Sequence, residues 1–386
     1  MACLAGVPGY TALKLKIQLR DIHRDERCNN ESTASAECVT LTHIITVAVE
    51  NYPMNGRSFL SSTADRVARL VEGDGWTADE HLQGEDVYSL ATGPVGSGLV
   101  LAGTEGNGVF RSRDRGATWE SSGLDGEHVM AIAVAPGDPD RLYAGVRPPA
   151  IYRSDDGGAT WTECEAFLDI RGRRIWRSPA SPPFTAYVNG LAVSPADPDL
   201  VVAGVEFGAV VRSTDGGGTW SNHRRKAIRD CHDLVWHATD ENYVYEGGAG
   251  VPRRPGAHST DGGETWRKPG GGLDRGYGVA VAADPGDPNV WYVSASASPF
   301  AAASDEPKAA VFRHDGDEAW QKLEDFPADR MPWALCTDPA LPDHLWAGRA
   351  DGSIVRSEDR GESWQSLEGE LPAVDFAMVM LPPDER

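Results

Sequence analysis

Residues 112–119 read Ser-Arg-Asp-Arg-Gly-Ala-Thr-Trp, and the pattern Ser-x-Asp-x-Gly-x-Thr-Trp recurs along the chain. Four copies with Thr and a fifth with Ser in its place occupy Ser112–Trp119, Ser154–Trp161, Ser213–Trp220, Ser259–Trp266 and Ser357–Trp364. A degraded copy before the last one keeps only Asp315 and Trp320. The Trp residues are about 42 to 59 residues apart, and self-similarity at such a period is typical of repeat architectures.

Each octapeptide follows a short apolar run, such as Val109-Phe110-Arg111 or Ile151-Tyr152-Arg153. Apolar alternation that ends in Asp and Gly indicates a β-hairpin. In such a turn the Asp accepts backbone N–H groups, the Gly allows a positive φ angle, and the Trp covers the hairpin with apolar surface. We therefore interpret the octapeptide as a folding element rather than as a site.

These residues are similar to the Asp-box, or BNR, repeats of bacterial neuraminidases, sortilin-like receptors and some glucan hydrolases, which are β-propellers. The resemblance covers roughly residues 54–386. It implies that each box lies in the hairpin between the third and fourth strands of a blade, away from the ligand face. Functional residues are then expected on the opposite face.

The blade count follows from the runs upstream of each box, such as Val129–Val134 and Arg141–Gly145, which add two strands to each hairpin. The six boxes account for six blades. A seventh combines three runs near the start with one near the end: Arg57–Thr63, Val67–Glu72, Trp76–Glu80 and Val374–Leu381. The predicted fold is all-β, a seven-bladed β-propeller of four-stranded antiparallel blades whose N- and C-terminal strands share one blade. Such closure removes open sheet edges.

Residues 1–53 lack the repeat, so we divide the chain into an N-terminal extension, 1–53, and a propeller, 54–386. One interpretation is a small extension packed on the ring, with Cys38–Glu50 as a strand. The alternative is that the native protein starts at Met54 and that the preceding residues are poorly ordered. The segment does not resemble a signal peptide, because it has no basic start and no long apolar run.

The formal net charge of −22 disfavours binding to phosphate backbones or anionic lipids. No stretch approaches the ~18 apolar residues of a membrane helix, so we expect neither a nucleic-acid nor a membrane partner and favour the cytoplasm. Cys164, Cys231 and Cys336 show no CxxC spacing, which favours reduced thiols over a zinc ribbon. We expect no cofactor and a monomer.

The two longest insertions, Cys164–Tyr187 and Ala295–Ala310, both map to the face opposite the boxes, which favours that face as the binding surface. Aligning the innermost strands places six residues at one equivalent position near the channel entrance: Asp86, His128, Tyr187, His232, Tyr277 and Met331. The second strands end there with Arg147, Glu206 and Glu246, and Asp233 follows His232. We predict a ligand site formed by His128, Arg147, Tyr187, Glu206, His232 and Tyr277.

Other interpretations of these residues stay open. Polar side chains routinely line water-filled propeller channels, so His128 and His232 are also compatible with a solvated channel or with ties between blades. A metal held by Asp86, His128 and His232 lacks any local ligand motif, and we predict no metal site. The insertion's arginines fit either an anionic ligand or a solvated loop: Arg171, Arg173, Arg174 and Arg177.

Two functions fit this pattern. The first is a non-catalytic scaffold that binds a protein or carbohydrate ligand at the channel mouth, as sortilin-like receptors and photosystem assembly factors with similar repeats do. The alternative is a glycoside hydrolase, which needs two carboxylates about 5 to 10 Å apart. The candidates are Glu206, Asp233, Glu246 and Asp86. A sialidase is not expected, because the early Phe/Tyr-Arg-Ile/Leu-Pro motif of that family is missing.

Overall fold

The octapeptide forms a hairpin held by its own side chains. Ser154 Oγ donates to Asp156 Oδ1 at 2.8 Å and accepts the Gly158 N–H at 2.9 Å. The N–H and hydroxyl of Thr160 donate to the Asp156 carboxylate at 2.8 and 2.6 Å. The Thr160 hydroxyl contributes most to lowering the pKa of Asp156 to about 2. The copies at 112–119, 213–220, 259–266 and 357–364 repeat these bonds, so the box is a folding element.

The computed structural model of the chain describes residues 56–179, 183–249, 255–316 and 318–383. Its strands form seven antiparallel sheets, the blades, listed here from the innermost strand outward. Blade 1 has Met378–Leu381, Ser58–Thr63, Arg66–Glu72 and Trp76–His81; blade 2 has Val87–Thr92, Val100–Thr104, Val109–Ser112 and Glu120–Ser121. Blade 3 has His128–Ala135, Asp138–Arg147, Ala150–Ser154 and Thr162–Glu163; blade 4 has Val188–Val193, Val201–Val205 and Val210–Ser213.

Blade 5 has Cys231–Trp236, Val244–Gly248 and Gly256–Ser259. Blade 6 has Tyr277–Ala283, Val290–Ser296, Ala310–Asp315 and Gln321–Lys322; blade 7 has Pro332–Cys336, Leu345–Arg349, Ser353–Ser357 and Gln365–Glu370. Short helices occur only in loops of the described part: Glu165–Asp169, Arg173–Ile175 and Pro299–Ala302. The predicted seven-bladed all-β propeller is confirmed.

The ring closes as the sequence predicts. Each innermost strand contacts those of both neighbouring blades, and Met378–Leu381 contacts Val87–Thr92. Met378–Leu381 also pairs antiparallel with Ser58–Thr63, with Ser58 opposite Leu381 and Ser61 opposite Met378. Chain segments from both ends therefore share blade 1.

Blades 4 and 5 differ from the prediction in having three regular strands each. In blade 4, the hydroxyl of Ser221 and Nδ1 of His223 accept the N–H groups of Arg212 and Val210, so side chains replace part of a backbone ladder. In blade 5, the fourth strand is reduced to a bridge between His258 and Arg267. Pro269 has no N–H to continue that bridge.

Apolar side chains fill the spaces between blades, and Trp266, Trp291 and Trp346 are among the largest fully buried ones. The loops between second and third strands, and those between a fourth strand and the next blade, emerge on one face, which we call the top face. The box hairpins emerge on the other, the box face. Within the described ranges, no helix is long and apolar enough to span a membrane. The strand predicted at Cys38–Glu50 lies outside the described residues, and the boundary at 53/54 stays a prediction.

Candidate functional site

A recurring β-bulge near the start of the innermost strands positions the channel lining. The register shifts at one or two residues in six of the seven blades. The bulged residues are Tyr88, Met130, Asn189, His232, Val279 with Ala280, and Trp333. All of them line a central cavity of about 1190 Å³. Because a bulge re-aims side chains, it is the local device that turns this ring of residues toward the cavity.

The alignment of the innermost strands made from the sequence is wrong by two positions in blade 5. Five of the six aligned residues lie two positions before a bulge: Asp86, His128, Tyr187, Tyr277 and Met331. His232 is itself the bulged residue, so its equivalent is Asp230. Backbone hydrogen bonds support this equivalence of Tyr187 and Asp230. The Tyr187 carbonyl accepts the Glu206 N–H at 3.0 Å, and the Asp230 carbonyl accepts the Ala249 N–H at 2.9 Å at the same place in the next blade. Asp230 is the mouth residue that the sequence reasoning missed.

Glu206, Asp230, His232 and Tyr277 form one cluster at the mouth, which we call the mouth cluster. His232 Nε2 lies 3.5 Å from Asp230 Oδ1, its Nδ1 lies 2.6 Å from the Gly278 carbonyl oxygen, and its ring centroid is 4.8 Å from that of Tyr277. Burial opposes the charge of His232, but Asp230 and the Gly278 carbonyl outweigh it and raise the pKa of the imidazole. The cluster therefore favours a charged His232 between carboxylates.

The two carboxylates of the mouth cluster are well shielded from solvent: Glu206 is 6% exposed and Asp230 is 8% exposed. Glu206 Oε1 accepts the Ser178 hydroxyl at 2.7 Å, and burial raises the pKa of Glu206. Burial also raises the pKa of Tyr277 to about 12, with further contributions from Glu206 and Asp230. The cluster thus combines an acid with a raised pKa, an imidazole and a neutral phenol.

Arg147 and Tyr187 lie next to the mouth cluster. The Arg147 guanidinium is 5.7 Å from the Tyr187 ring centroid, and its Nε donates to Thr185 Oγ1 at 3.2 Å. Arg147 also acts electrostatically on Glu206. Five predicted ligand residues are thus brought together: Arg147, Tyr187, Glu206, His232 and Tyr277.

Asp86 and His128 lie around blades 2 and 3, and no interaction between them and the mouth cluster is present among the described residues. His128 Nδ1 lies 3.5 Å from Glu105 Oε1, and the Glu105 N–H donates to the Asp86 carbonyl at 2.9 Å. Asp86 is exposed, and His128 is partly exposed. Asp86, Glu105 and His128 therefore form a second group on the rim, which adjoins the mouth cluster through Arg147, the cross-strand partner of His128.

Asp233 and Glu246 serve as internal acceptors. Asp233 Oδ2 accepts the Val281 N–H of blade 6 at 2.8 Å, and burial raises the pKa of Asp233 to about 6. Glu246 is fully buried within blade 5 and accepts the Ile228 N–H at 2.7 Å. Burial raises the pKa of Glu246 to about 8. Asp233 lines the cavity and Glu246 does not, and both tie backbone segments together.

Across the described ranges, no group of three or more His, Cys, Asp or Glu side chains is arranged to hold a metal ion. Cys164 and Cys231 are buried free thiols, and burial raises the pKa of each. High thiol pKa values make both poor nucleophiles and poor metal ligands.

Comparison with known proteins agrees with this architecture. The model of the BNR/Asp-box repeat matches residues 257–268, which contain the fourth box. The chain is a β-propeller that carries BNR/Asp-box repeats. No curated protein matches the sequence closely enough to add to this.

Solved β-propellers of two kinds resemble this BNR/Asp-box chain. An ancestral GH74 enzyme is 18% identical, with a TM-score of 0.56, over 72% of this chain and 38% of that one. The GH74 xyloglucanase from Xanthomonas campestris is 20% identical, with a TM-score of 0.53, over 73% and 45%. YCF48 bound to D1 peptide is 14% identical, with a TM-score of 0.50, over 72% and 81%. The chain spans less than half the length of both hydrolases, and these likenesses show the fold alone.

Proposed function

We propose that this propeller is a non-catalytic scaffold that binds a segment of a partner protein on its top face. The observation that carries the proposal is the distribution of exposed apolar side chains. Six of the seven large exposed ones in the described part lie in top-face loops: Leu168, Ile175, Phe184, Phe207, Phe300 and Phe376. The seventh, Val95, lies in a loop beside the first box hairpin. Clustered exposed apolar residues mark interaction surfaces.

The carboxylates support the same proposal. Glu206, Asp233 and Glu246 accept hydrogen bonds from Ser178, Val281 and Ile228, which are internal structural contacts. A general acid and its partner need oxygens that face the substrate. The matched lengths also favour the scaffold proposal, because this chain spans most of the length of the peptide-bound propeller and less than half the length of either hydrolase.

The test is site-specific photo-crosslinking with p-benzoylphenylalanine at Phe207, with Val95 as the matched control on the opposite face. In extract of the source organism, we expect a discrete protein adduct from position 207 and none from position 95. The adduct should map by mass spectrometry to one segment of one partner. Equal or absent adducts at both positions would refute a top-face binding role.

A glycoside hydrolase is the second candidate, and the mouth cluster is the observation that favours it. Glu206 has the raised pKa that a general acid requires, and Asp230 provides a second carboxylate at the same mouth. A reducing-end assay against xyloglucan and related β-glucans separates the two functions. Release that disappears in both Glu206→Gln and Asp230→Asn would establish hydrolysis; the scaffold proposal expects no release.

A further inference from the structure

Three top-face loops are joined into one surface over blades 3 to 5. Ser178, in the 164–187 loop, donates to Glu206 in the 206–209 loop. Gly208 N–H donates to the Arg229 carbonyl at 2.7 Å, and Arg229 Nη1 donates to the Gly208 carbonyl at 2.9 Å. These bonds make the three loops one continuous patch.

Exposed cations outnumber exposed carboxylates on this patch by six to two, the two carboxylates being Glu165 and Asp169, although the whole chain is strongly acidic. Six exposed cations, which we call the basic arc, belong to it: Arg171, Arg174, Arg177, Arg225, Lys226 and Arg229. Within the described ranges, none of the six forms an ion pair with a carboxylate. Beside the arc, burial and, to a lesser degree, the charges of Arg229 and Lys268 lower the pKa of His223 to about 4.

Exposed apolar side chains lie within the same patch. Ile175 is 81% exposed, Phe184 is 50% exposed and Phe207 is 44% exposed. Phe184, Phe207 and Lys226 have φ angles of 58°, 50° and 71°. Bulky residues rarely adopt this left-handed conformation, and strain of this kind concentrates at functional sites. The loops therefore hold apolar and cationic side chains at the surface against their backbone preference.

The opposite half of the top face is acidic. The loops of blades 6, 7, 1 and 2 present six exposed carboxylates. Asp65, Asp329 and Asp351 pair with Arg66, Arg349 and Arg330, whereas Asp305, Asp86 and Glu105 form no ion pair with an arginine or lysine of the described part. A long polyanion that crossed the basic arc would meet this acidic half and be repelled. A short acidic segment that ends over the basic arc would not. The charge pattern thus favours a peptide over a nucleic acid.

We propose that the basic arc, with Ile175, Phe184 and Phe207, binds an acidic peptide segment of a partner protein that also carries large apolar side chains. This inference rests on the proposed scaffold function and specifies its ligand. Carboxylates of the segment pair with the arginines, and its apolar side chains cover the exposed Phe and Ile side chains.

The experiment measures fluorescence anisotropy with the full chain and two labelled peptides, one with repeating Glu-Glu-Leu-Phe and one with Lys in place of Glu. We expect the Glu peptide alone to bind, with affinity that falls as salt rises. Arg225→Glu with Lys226→Glu should weaken binding about tenfold or more, because each change replaces attraction with repulsion. The control Arg113→Glu, on an exposed box-face arginine, should leave the affinity unchanged.

A second variant tests the apolar half of the surface. Phe207→Asn suits the left-handed backbone, so the fold should persist, and affinity should fall several-fold. Three results would overturn the proposal: no binding of the Glu peptide at low salt, equal losses in the Arg113 control, or equally tight binding of an oligouridylate. If the position-207 crosslink persists in the charge-reversed double variant, the scaffold function stands while the acidic-peptide proposal fails.

Discussion

At the scale of single residues, Asp233 is the exception at the position that directly follows the first bulged residue of an innermost strand. The other bulged strands carry a small side chain there: Ser89, Ala131, Gly190, Ala280 and Ala334. Because burial raises the pKa of Asp233 to about 6, above its unfolded value of 3.8, its contribution to stability is fully present below about pH 4. It is lost as pH rises through 6. In the unmodified chain, we expect the free energy of unfolding to fall by on the order of 1–3 kcal/mol between about pH 4 and 7.5 because of Asp233. Urea unfolding of Asp233→Ala over the same pH range should lack this fall.

Asp305→Ala is the matched control, since Asp305 is an exposed carboxylate on the lining of the same cavity. It should keep the pH dependence of the unmodified chain. If Asp233→Ala also keeps that dependence, Asp233 is hydrated rather than a buried tie between blades 5 and 6. The comparison uses the slope of the free energy of unfolding against pH. The absolute free energies are not compared, because Asp233→Ala also leaves the Val281 N–H without its acceptor, which lowers stability at every pH.

The mouth residues were partly predictable from sequence. Glu206, His232 and Tyr277 were found because polar residues at strand ends recur with the repeat. Asp230 was missed because the sequence alignment matched His232 to His128. An alignment on the aliphatic residue two positions after each bulged residue would have matched Asp230 to His128. Leu234 occupies that position in blade 5, as Leu191 does in blade 4. The positive φ angles of Phe184 and Phe207 could not be predicted from the sequence, because Phe rarely adopts the left-handed conformation.

At the scale of the element, the box Trp residues differ in how much they stabilise their hairpins. Trp266 is fully buried and its Nε1 donates to the Gly263 carbonyl at 3.1 Å. Trp220 is only partly buried, and its Nε1 has no hydrogen-bond partner among the residues that the structure describes. We expect Trp266→Ala to lower the free energy of unfolding by about 3–5 kcal/mol and Trp220→Ala by less, as measured by urea denaturation. Equal and small losses for both would contradict a covering role for the box Trp.

The boxes also explain how far secondary structure was predictable. Their regular bonds come from residues within eight positions, so the hairpins at Ser154–Trp161 and Ser259–Trp266 were legible in the sequence. The fourth strands of blades 4 and 5 were not. In blade 4, the Ser221 side chain accepts a backbone N–H that a regular fourth strand would bind. In blade 5, Pro269 has no backbone N–H to donate. Such local competition overrides the repeat pattern.

At the scale of the whole molecule, stability depends on the strand that closes the ring. Arg115, in the first box, donates to the carbonyls of Gly56, Leu381 and Pro382. Arg57 of blade 1 forms a buried ion pair with Asp338 of blade 7 at 2.8 Å and stacks 4.8 Å from the Trp346 ring centroid. Blade 1 is therefore bonded to both of its neighbours. The closure could be predicted because the boxes account for only six blades, and the remaining strand-like runs near the start and the end of the chain together make a seventh.

Truncation after Ala373 tests this closure. Removing 374–386 deletes the innermost strand of blade 1 and exposes the edge of Ser58–Thr63 along with the apolar side chains of Phe59 and Leu60. We expect the midpoint of thermal unfolding to fall by on the order of 10 °C, with oligomers in light scattering, because an unpaired apolar edge strand invites association.

Addition of a synthetic peptide of residues 374–383 supplies the matched control, since it returns the missing strand without the covalent link. The peptide should pair with Ser58–Thr63 in the native register, restore a monodisperse ring and recover most of the lost midpoint. A scrambled peptide of the same composition should do neither, because register depends on which side chains face the core. A truncated chain that stays monodisperse with an unchanged midpoint would mean that the contacts of Arg57 and Arg115 close the ring without the strand, and that the shared blade is dispensable.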